Sequence, residues 1–264
     1  MDYEQMLRFY AEENYDLIIA IGYSYTDSVL KVAKNYPRTS FALVDGLIPN
    51  LNAQSNITCV QFAENQGAFL MGALAGLVTK NDPSKRVGFI GGMDNPQMEK
   101  IRIGFYAGAS YANPNLVPKG IVYRYVSHAL DGFDNPSLAR DLASRMYNQG
   151  VSIIFHFSGK SGSGVFEAAS EKGKLAIGSD MDQGFIYSSS SDPGLRKIGE
   201  SILGSMIKRL DQAIFLLGRE LIVRAWGQGM VAGGYRLYRL EDGGISWALN
   251  QYNEDRLQPF SPEL

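Results

Sequence analysis

Cysteine and histidine are almost absent from this 264-residue chain, which has Cys59, His128 and His156 and no others of either type. One thiol cannot close an internal disulfide, and so few ligands cannot assemble a multi-cysteine zinc site or a histidine cluster, so no metal is expected. A surplus of one charge is missing too. Lys+Arg number 25 against 27 Asp+Glu, for a formal net charge of -2, and no basic run or helix offers an electrostatic footprint for nucleic acid. No apolar stretch reaches the ~18 residues that a membrane-spanning helix requires. The opening Met1-Asp2-Tyr3-Glu4-Gln5 is acidic and polar, unlike the basic-then-apolar start of a secretory signal. Internal repeats and low-complexity linkers are lacking as well.

What is present is an alternation of short apolar runs with helical patterns. Apolar residues make up 45% of the chain, enough to bury a sizeable core in one α/β domain or two lobes. Residues 16–22 (DLIIAIG) form a continuous apolar run bounded by turn residues, the pattern of a strand buried on both faces. Thr26 and Asp27 are placed to cap a helix carrying Val29, Leu30 and Val32, and 40–44 is the next strand, ending in Asp45-Gly46. The stretch 67–78, rich in Ala, Leu and Gly, suits a helix packed closely on a neighbour. After the break at Asn81-Asp82-Pro83-Ser84 come strands over 87–90, 121–126, 153–157 and 175–177, with helices over 97–111 and 137–148 and one ending at Lys172. Such a βαβ series predicts a parallel sheet with right-handed crossovers.

Beyond Pro193 the spacing predicts a short strand to about Met206 and a helix to Gly218. Period-two alternation over 235–240 and again over 245–249, around Glu241-Asp242-Gly243-Gly244, predicts a hairpin. The early series shows only two obvious parallel strands. Either the hairpin near the C-terminus completes that sheet, or strands before Met1 are missing, or both. The expectation is a first lobe over 1–83, incomplete and completed by about 207–264, and a second lobe over 84–206.

Two loops carry most of the functional signal. Gly159-Lys160-Ser161-Gly162-Ser163-Gly164 follows the apolar run 151–157, and Gly178-Ser179-Asp180-Met181-Asp182-Gln183 follows the next. Both fall at the carboxyl ends of neighbouring parallel strands, where open α/β sheets bind small ligands. Gly159-Lys160-Ser161 has the ending of a P-loop, but the glycine required five positions earlier is Ile154, and GxGxxG does not fit either. What survives at Gly159 and Gly162 is a loop whose backbone N–H groups can approach a ligand oxygen, or simply a tight strand-to-helix turn. His156, ending an apolar strand, reads as a hydrogen-bonded core histidine. No nucleophile and base stand at readable spacing, so the chain is not read as an enzyme. Asn56-Ile57-Thr58 fits a glycosylation pattern of a kind that arises by chance.

Residues 15–22, 41–46, 67–72, 87–93, 164–169, 178–183 and 205–209 resemble, in order and over nearly the whole chain, the basic membrane protein family (PnrA/TmpC-like). The resemblance implies substrate-binding lipoproteins of ABC importers, of which the best-understood members bind purine nucleosides. It implies the type I periplasmic-binding-protein fold, two doubly wound α/β lobes closing on a ligand in the interlobe cleft by hinge motion. It also implies an extracytoplasmic location, an ABC permease as partner and no cofactor. On that reading Asp180 accepts from the vicinal hydroxyls of a ribose, and Lys208 reaches the sugar. Tyr23, Tyr25 and Phe157 are the candidates to stack on the base, while Asp182 reads as a helix cap. The alternative, since no export signal opens the chain, is a cytoplasmic ligand-sensing regulatory protein of the same fold.

Overall fold

The computed structural model describes residues 2–81, 86–116, 120–225 and 231–260. In chain order its elements are α1 (Tyr3–Glu12), β1 (Leu17–Ile21), α2 (Thr26–Ala33), β2 (Ser40–Val44), β3 (Ile57–Phe62), α3 (Glu64–Thr79), β4 (Arg86–Met93), α4 (Pro96–Ala112), β5 (Ile121–Ser127) and α5 (Pro136–Asn148). There follow β6 (Val151–Phe157), α6 (Gly162–Lys172), β7 (Leu175–Gly178), α7 (Gln183–Ser188), α8 (Pro193–Gly199), β8 (Ile202–Lys208), α9 (Leu210–Ala225), β9 (Gly234–Tyr238), β10 (Ile245–Trp247) and α10 (Glu254–Leu257). They fall into two compact units, Met1–Ala63 with Arg209–Gly244, and Glu64–Lys208 with Ile245–Leu264.

In the first unit the described strands form a parallel sheet in the order β1-β2-β3-β9. All five positions of β2 are buried, as expected of a parallel strand covered on both faces. Leu7 of α1 and Val29 and Val32 of α2 pack with Phe41, Leu43, Ile57 and Cys59 in one core cluster. Strand β3 was not among the strands expected from the sequence. Its opening overlaps the glycosylation-like triplet, and the Asn56 carboxamide nitrogen lies 3.0–3.1 Å from the carbonyls of Ala33, Tyr36 and Thr39, tying the α2–β2 connection to β3. Thr26 and Asp27 belong to the first turn of α2 and do not cap it; the Thr26 hydroxyl donates backwards to the Tyr23 carbonyl at 2.5 Å.

The predicted hairpin is not formed. Both strands exist, but β9 pairs in parallel with β3 in the first unit, whereas β10 pairs antiparallel with β8 in the second. A period-two pattern around Gly243-Gly244 reports two half-buried strands and not their pairing partner. The boundary expected near residue 83 also moves. Helix α3 belongs to the second unit because its glycines seat it on α4: a Cβ at Gly72 would run into the Phe105 carbonyl, and one at Gly108 into the Phe69 carbonyl.

The second unit has the strand order β10-β8-β7-β6-β4-β5, parallel except for β10. Alternation along the strands divides the core. Ile90 of β4 and Ile154 of β6 lie in a cluster with Ala139 and Ala143 of α5 and Phe166 of α6. Phe89 and Phe155, one position away on each strand, pack their rings against Phe105 of α4. The chain leaves β4 for β5 on one side and returns to β6 on the other. This reversal of strand order opens a crevice at the carboxyl ends. Among the described residues no helix is long and apolar enough to cross a membrane.

Candidate ligand-binding site

Adjacent strands β6, β7 and β8 end at Phe157, Gly178 and Lys208, so their carboxyl ends present a contiguous surface within the second unit. The Lys208 N–H donates to the Asp180 carbonyl at 3.1 Å, which fixes the loop after β7 to the end of β8. Asp180 itself has a left-handed backbone (φ 70°), a conformation aspartate tolerates better than most residues.

Four side chains meet here. The Lys208 ammonium stands 3.2 Å from Glu64 Oε1, 3.2 Å from Asp180 Oδ1 and 5.7 Å from the centroid of the Phe157 ring. Lys208 and Glu64 are nearly sequestered, their side chains 12% and 6% exposed, whereas Asp180 remains 33% exposed. Glu64, at the head of α3, is further held by Gln97 of α4, whose amide donates to Oε2 at 2.8 Å. Asp180 Oδ1 is buried and is ion-paired with the Lys208 ammonium, with no further hydrogen bond. A carboxylate oxygen can accept more than one donor, so the partly exposed Asp180 carboxylate can take a ligand hydroxyl in addition to the ammonium. Glu64 and Asp180 both present carboxylate oxygens to the Lys208 ammonium, and such oxygens accept, so the cluster suits a ligand that brings O–H or N–H donors.

Behind the loop lies a polar network. His156 is fully buried, and burial pushes its imidazole down to about 4, against the opposing pull of Asp180 and of its bond to Gln183. Its Nε2 is 3.1 Å from Gln183 Oε1, an amide oxygen that only accepts, so Nε2 carries the proton. Nδ1 is then the acceptor for the Ser158 hydroxyl at 3.3 Å. The same Gln183 oxygen accepts the Ser179 N–H at 2.8 Å, and the Gln183 N–H donates to Ser205 Oγ at 3.2 Å. With both ring nitrogens engaged, His156 is a core histidine, as the sequence suggested.

The structure brings together Asp180, Lys208 and Phe157 of the residues singled out from sequence. Gly159 has a left-handed φ of 55° and turns the chain from β6 into α6. Gly162 serves packing: a Cβ there would collide with the His156 ring. Tyr23 and Tyr25 lie in the first unit, in the short turn between β1 and α2. The Tyr25 ring packs 4.3 Å from that of Tyr3 and against the core, while Tyr23 is 43% exposed. Asp182 caps α7, accepting from the Phe185 N–H at 2.9 Å, and also accepts from Asn250 at 2.7 Å. Sequence reasoning missed Glu64. The one available signal was an acid at the start of a Gly/Ala-rich helix, a position ordinarily occupied by a solvated first-turn carboxylate.

Comparison with known proteins gives concordant findings. The family model described as "ABC transporter substrate-binding protein PnrA-like" matches residues 1–259. The "CD4+ T-cell-stimulating antigen" of Listeria monocytogenes is 33% identical over 96% of this chain and 67% of its own length. The "ABC transporter nucleoside-binding protein BmpA" of Lactococcus lactis is 27% identical over 94% of this chain and 68% of its own. A solute-binding protein of an ABC transporter system from Aeropyrum pernix K1 superposes with a TM-score of 0.76 at 24% identity, covering 99% of this chain and 68% of that one. The chain spans about half to two thirds of the length of the curated relatives it matches.

Proposed function

Since the chain belongs to the family of PnrA-like ABC transporter substrate-binding proteins, we propose that it serves as the extracytoplasmic receptor of an ABC importer and that its ligand is a purine nucleoside. The fold is α/β with parallel sheets, the type I architecture of periplasmic solute-binding proteins. The single observation that carries the ligand reading is the cluster in which the partly exposed Asp180 carboxylate faces the Lys208 ammonium beside the Phe157 ring. A carboxylate of this kind accepts from vicinal ribose hydroxyls, and the ammonium donates to a hydroxyl oxygen. The Phe157 ring supplies an apolar face for a base, and Gly159 lets the backbone come close. The printed name of the Lactococcus relative, a nucleoside-binding protein, supports the same class.

The ligand is bound and handed to a membrane permease without being transformed. His156, the histidine nearest the cluster, has both ring nitrogens in hydrogen bonds and is held neutral by burial, which supports a role in structure and not as an acid or base. The test is calorimetric titration of the chain, stripped of ligand by unfolding and refolding, with adenosine, guanosine, inosine, cytidine, uridine, ribose and adenine. Purine nucleosides are expected to bind and to be recovered intact by chromatography. A folded chain that binds none of them, or that cleaves them, overturns the proposal.

A further inference from the structure

The loop that presents Asp180 is also held by residues outside the Lys208 cluster. Asp180 holds a left-handed backbone, which a loop keeps only if its neighbours fix it. One fixing contact is the bond from the Lys208 N–H to the Asp180 carbonyl. On the other side, a single oxygen, Gln183 Oε1, accepts both the Ser179 N–H at 2.8 Å and His156 Nε2 at 3.1 Å. Two glycines make room for this arrangement. A Cβ at Gly178 would stand 2.5 Å from Gln183 Oε1 and 2.7 Å from Ser205 Oγ, and one at Gly162 would overlap the imidazole. The imidazole is fixed in turn by Ser158 and by the edge of the Phe166 ring, with centroids 4.9 Å apart.

We propose that Gln183 and His156 are the positioning residues of the ligand site: the imidazole orients the Gln183 carboxamide, which holds Ser179 so that the Asp180 carboxylate keeps its place beside Lys208, where it accepts from a ligand hydroxyl. This rests on the reading of Asp180 as a ribose acceptor. Gly162, part of the loop that resembles a phosphate cradle, then has a different role, which is to admit the imidazole beneath the site.

The experiment uses the full chain and three variants, Gln183→Leu, Gln183→Glu and His156→Asn, read two ways. The first readout is hydrogen exchange at the Ser179 amide, which needs no ligand. Gln183→Leu removes the acceptor at similar volume and is expected to speed exchange there at least about ten-fold, with Phe155 and Ile177 in the flanking strands still protected. Gln183→Glu keeps an accepting oxygen and is expected to restore protection, and His156→Asn is expected to speed exchange less than Gln183→Leu does. The second readout is titration with inosine and with 2′,3′-dideoxyinosine. Gln183→Leu is expected to weaken inosine about ten-fold and leave the dideoxy analogue unchanged, a selectivity that general loosening of the fold would not produce. Unchanged Ser179 exchange, or equal loss for both ligands, overturns the proposal. If the parent chain binds neither ligand, the nucleoside reading fails, and the exchange measurement alone decides the positioning role.

Discussion

Each unit has an aspartate with a left-handed backbone just beyond a parallel strand: Asp45 after β2 in the first (φ 62°) and Asp180 after β7 in the second (φ 70°). Their backbones are alike and their surroundings differ. Asp45 leads into Gly46, where a Cβ would stand 2.5 Å from the Leu43 side chain and 2.8 Å from Thr26, so that turn is shaped by close packing. Asp180 lies beside a sequestered lysine that it shares with a second carboxylate. A left-handed aspartate is therefore one way for a doubly wound unit to leave a strand, and it does not by itself denote a ligand site. On the function proposed above, the charged cluster does.

Dismantling that cluster should have the greatest effect. Lys208→Met leaves Glu64 buried without its ammonium, and removal of one partner of a buried pair costs about 3–5 kcal/mol. Denaturant unfolding should register that loss, and adding Glu64→Gln should recover most of it; a single variant as stable as the parent chain would mean the cluster is not sequestered. Next comes acid. His156 is held neutral in the folded chain, so the unfolded chain takes up its proton first as pH falls below about 6.5. Stability from this group is complete above that pH, declines towards about 4 and then levels off, a difference of roughly 3 kcal/mol. The gap in unfolding midpoint between parent and His156→Asn, followed from pH 7 to pH 4, isolates this contribution.

A matched pair of substitutions sets the two turns directly against each other. Asp45→Gly and Asp180→Gly each relieve a left-handed non-glycine residue, by about 1 kcal/mol or less in stability, while Asp180→Gly also takes a carboxylate from the Lys208 ammonium and should melt below Asp45→Gly. Only Asp180→Gly should weaken a purine nucleoside by at least about 100-fold, since hydrogen bonds to a charged group are worth about 1.5–3 kcal/mol each. Equal loss of binding in both would erase the distinction between the two turns. The tyrosines should respond least. Tyr25→Ala should cost about 1–2 kcal/mol of stability through lost packing on Tyr3. Tyr23→Ala, at an exposed ring, should leave stability unchanged, so that any loss of affinity by calorimetry reports a role in binding.

Much of the second unit was legible because its strands are continuous apolar runs bounded by glycine and asparagine, and its two loops carry residues whose chemistry is readable from type alone. Asn95 and Asn135, each followed by proline, cap α4 and α5 in the way such pairs advertise. Strand β3 was harder to see, since Thr58, Cys59 and Gln61 break its apolar run although all but Gln61 are buried in the fold. Pairing was not readable at all: β9 and β10 look like the two arms of one hairpin, and only tertiary contacts assign them to different sheets. Glu64 escaped for a related reason, because a carboxylate stands out only when burial and a lysine from a distant strand are both known.

The seam between α3 and α4 also bears on genetics. Gly72, Gly76, Gly104 and Gly108 set backbone against backbone, and Glu64 projects from the head of the same α3, about 12 Å along the axis from Gly72. A methyl group added in that seam has mainly carbonyl or other main-chain atoms to meet, so the whole rod must shift, and the carboxylate at its tip shifts with it. On the proposed reading, a random screen for lost ligand binding would then recover mutations at these seam glycines, none of which belongs to the charged cluster, scored as binding defects in a protein that still folds.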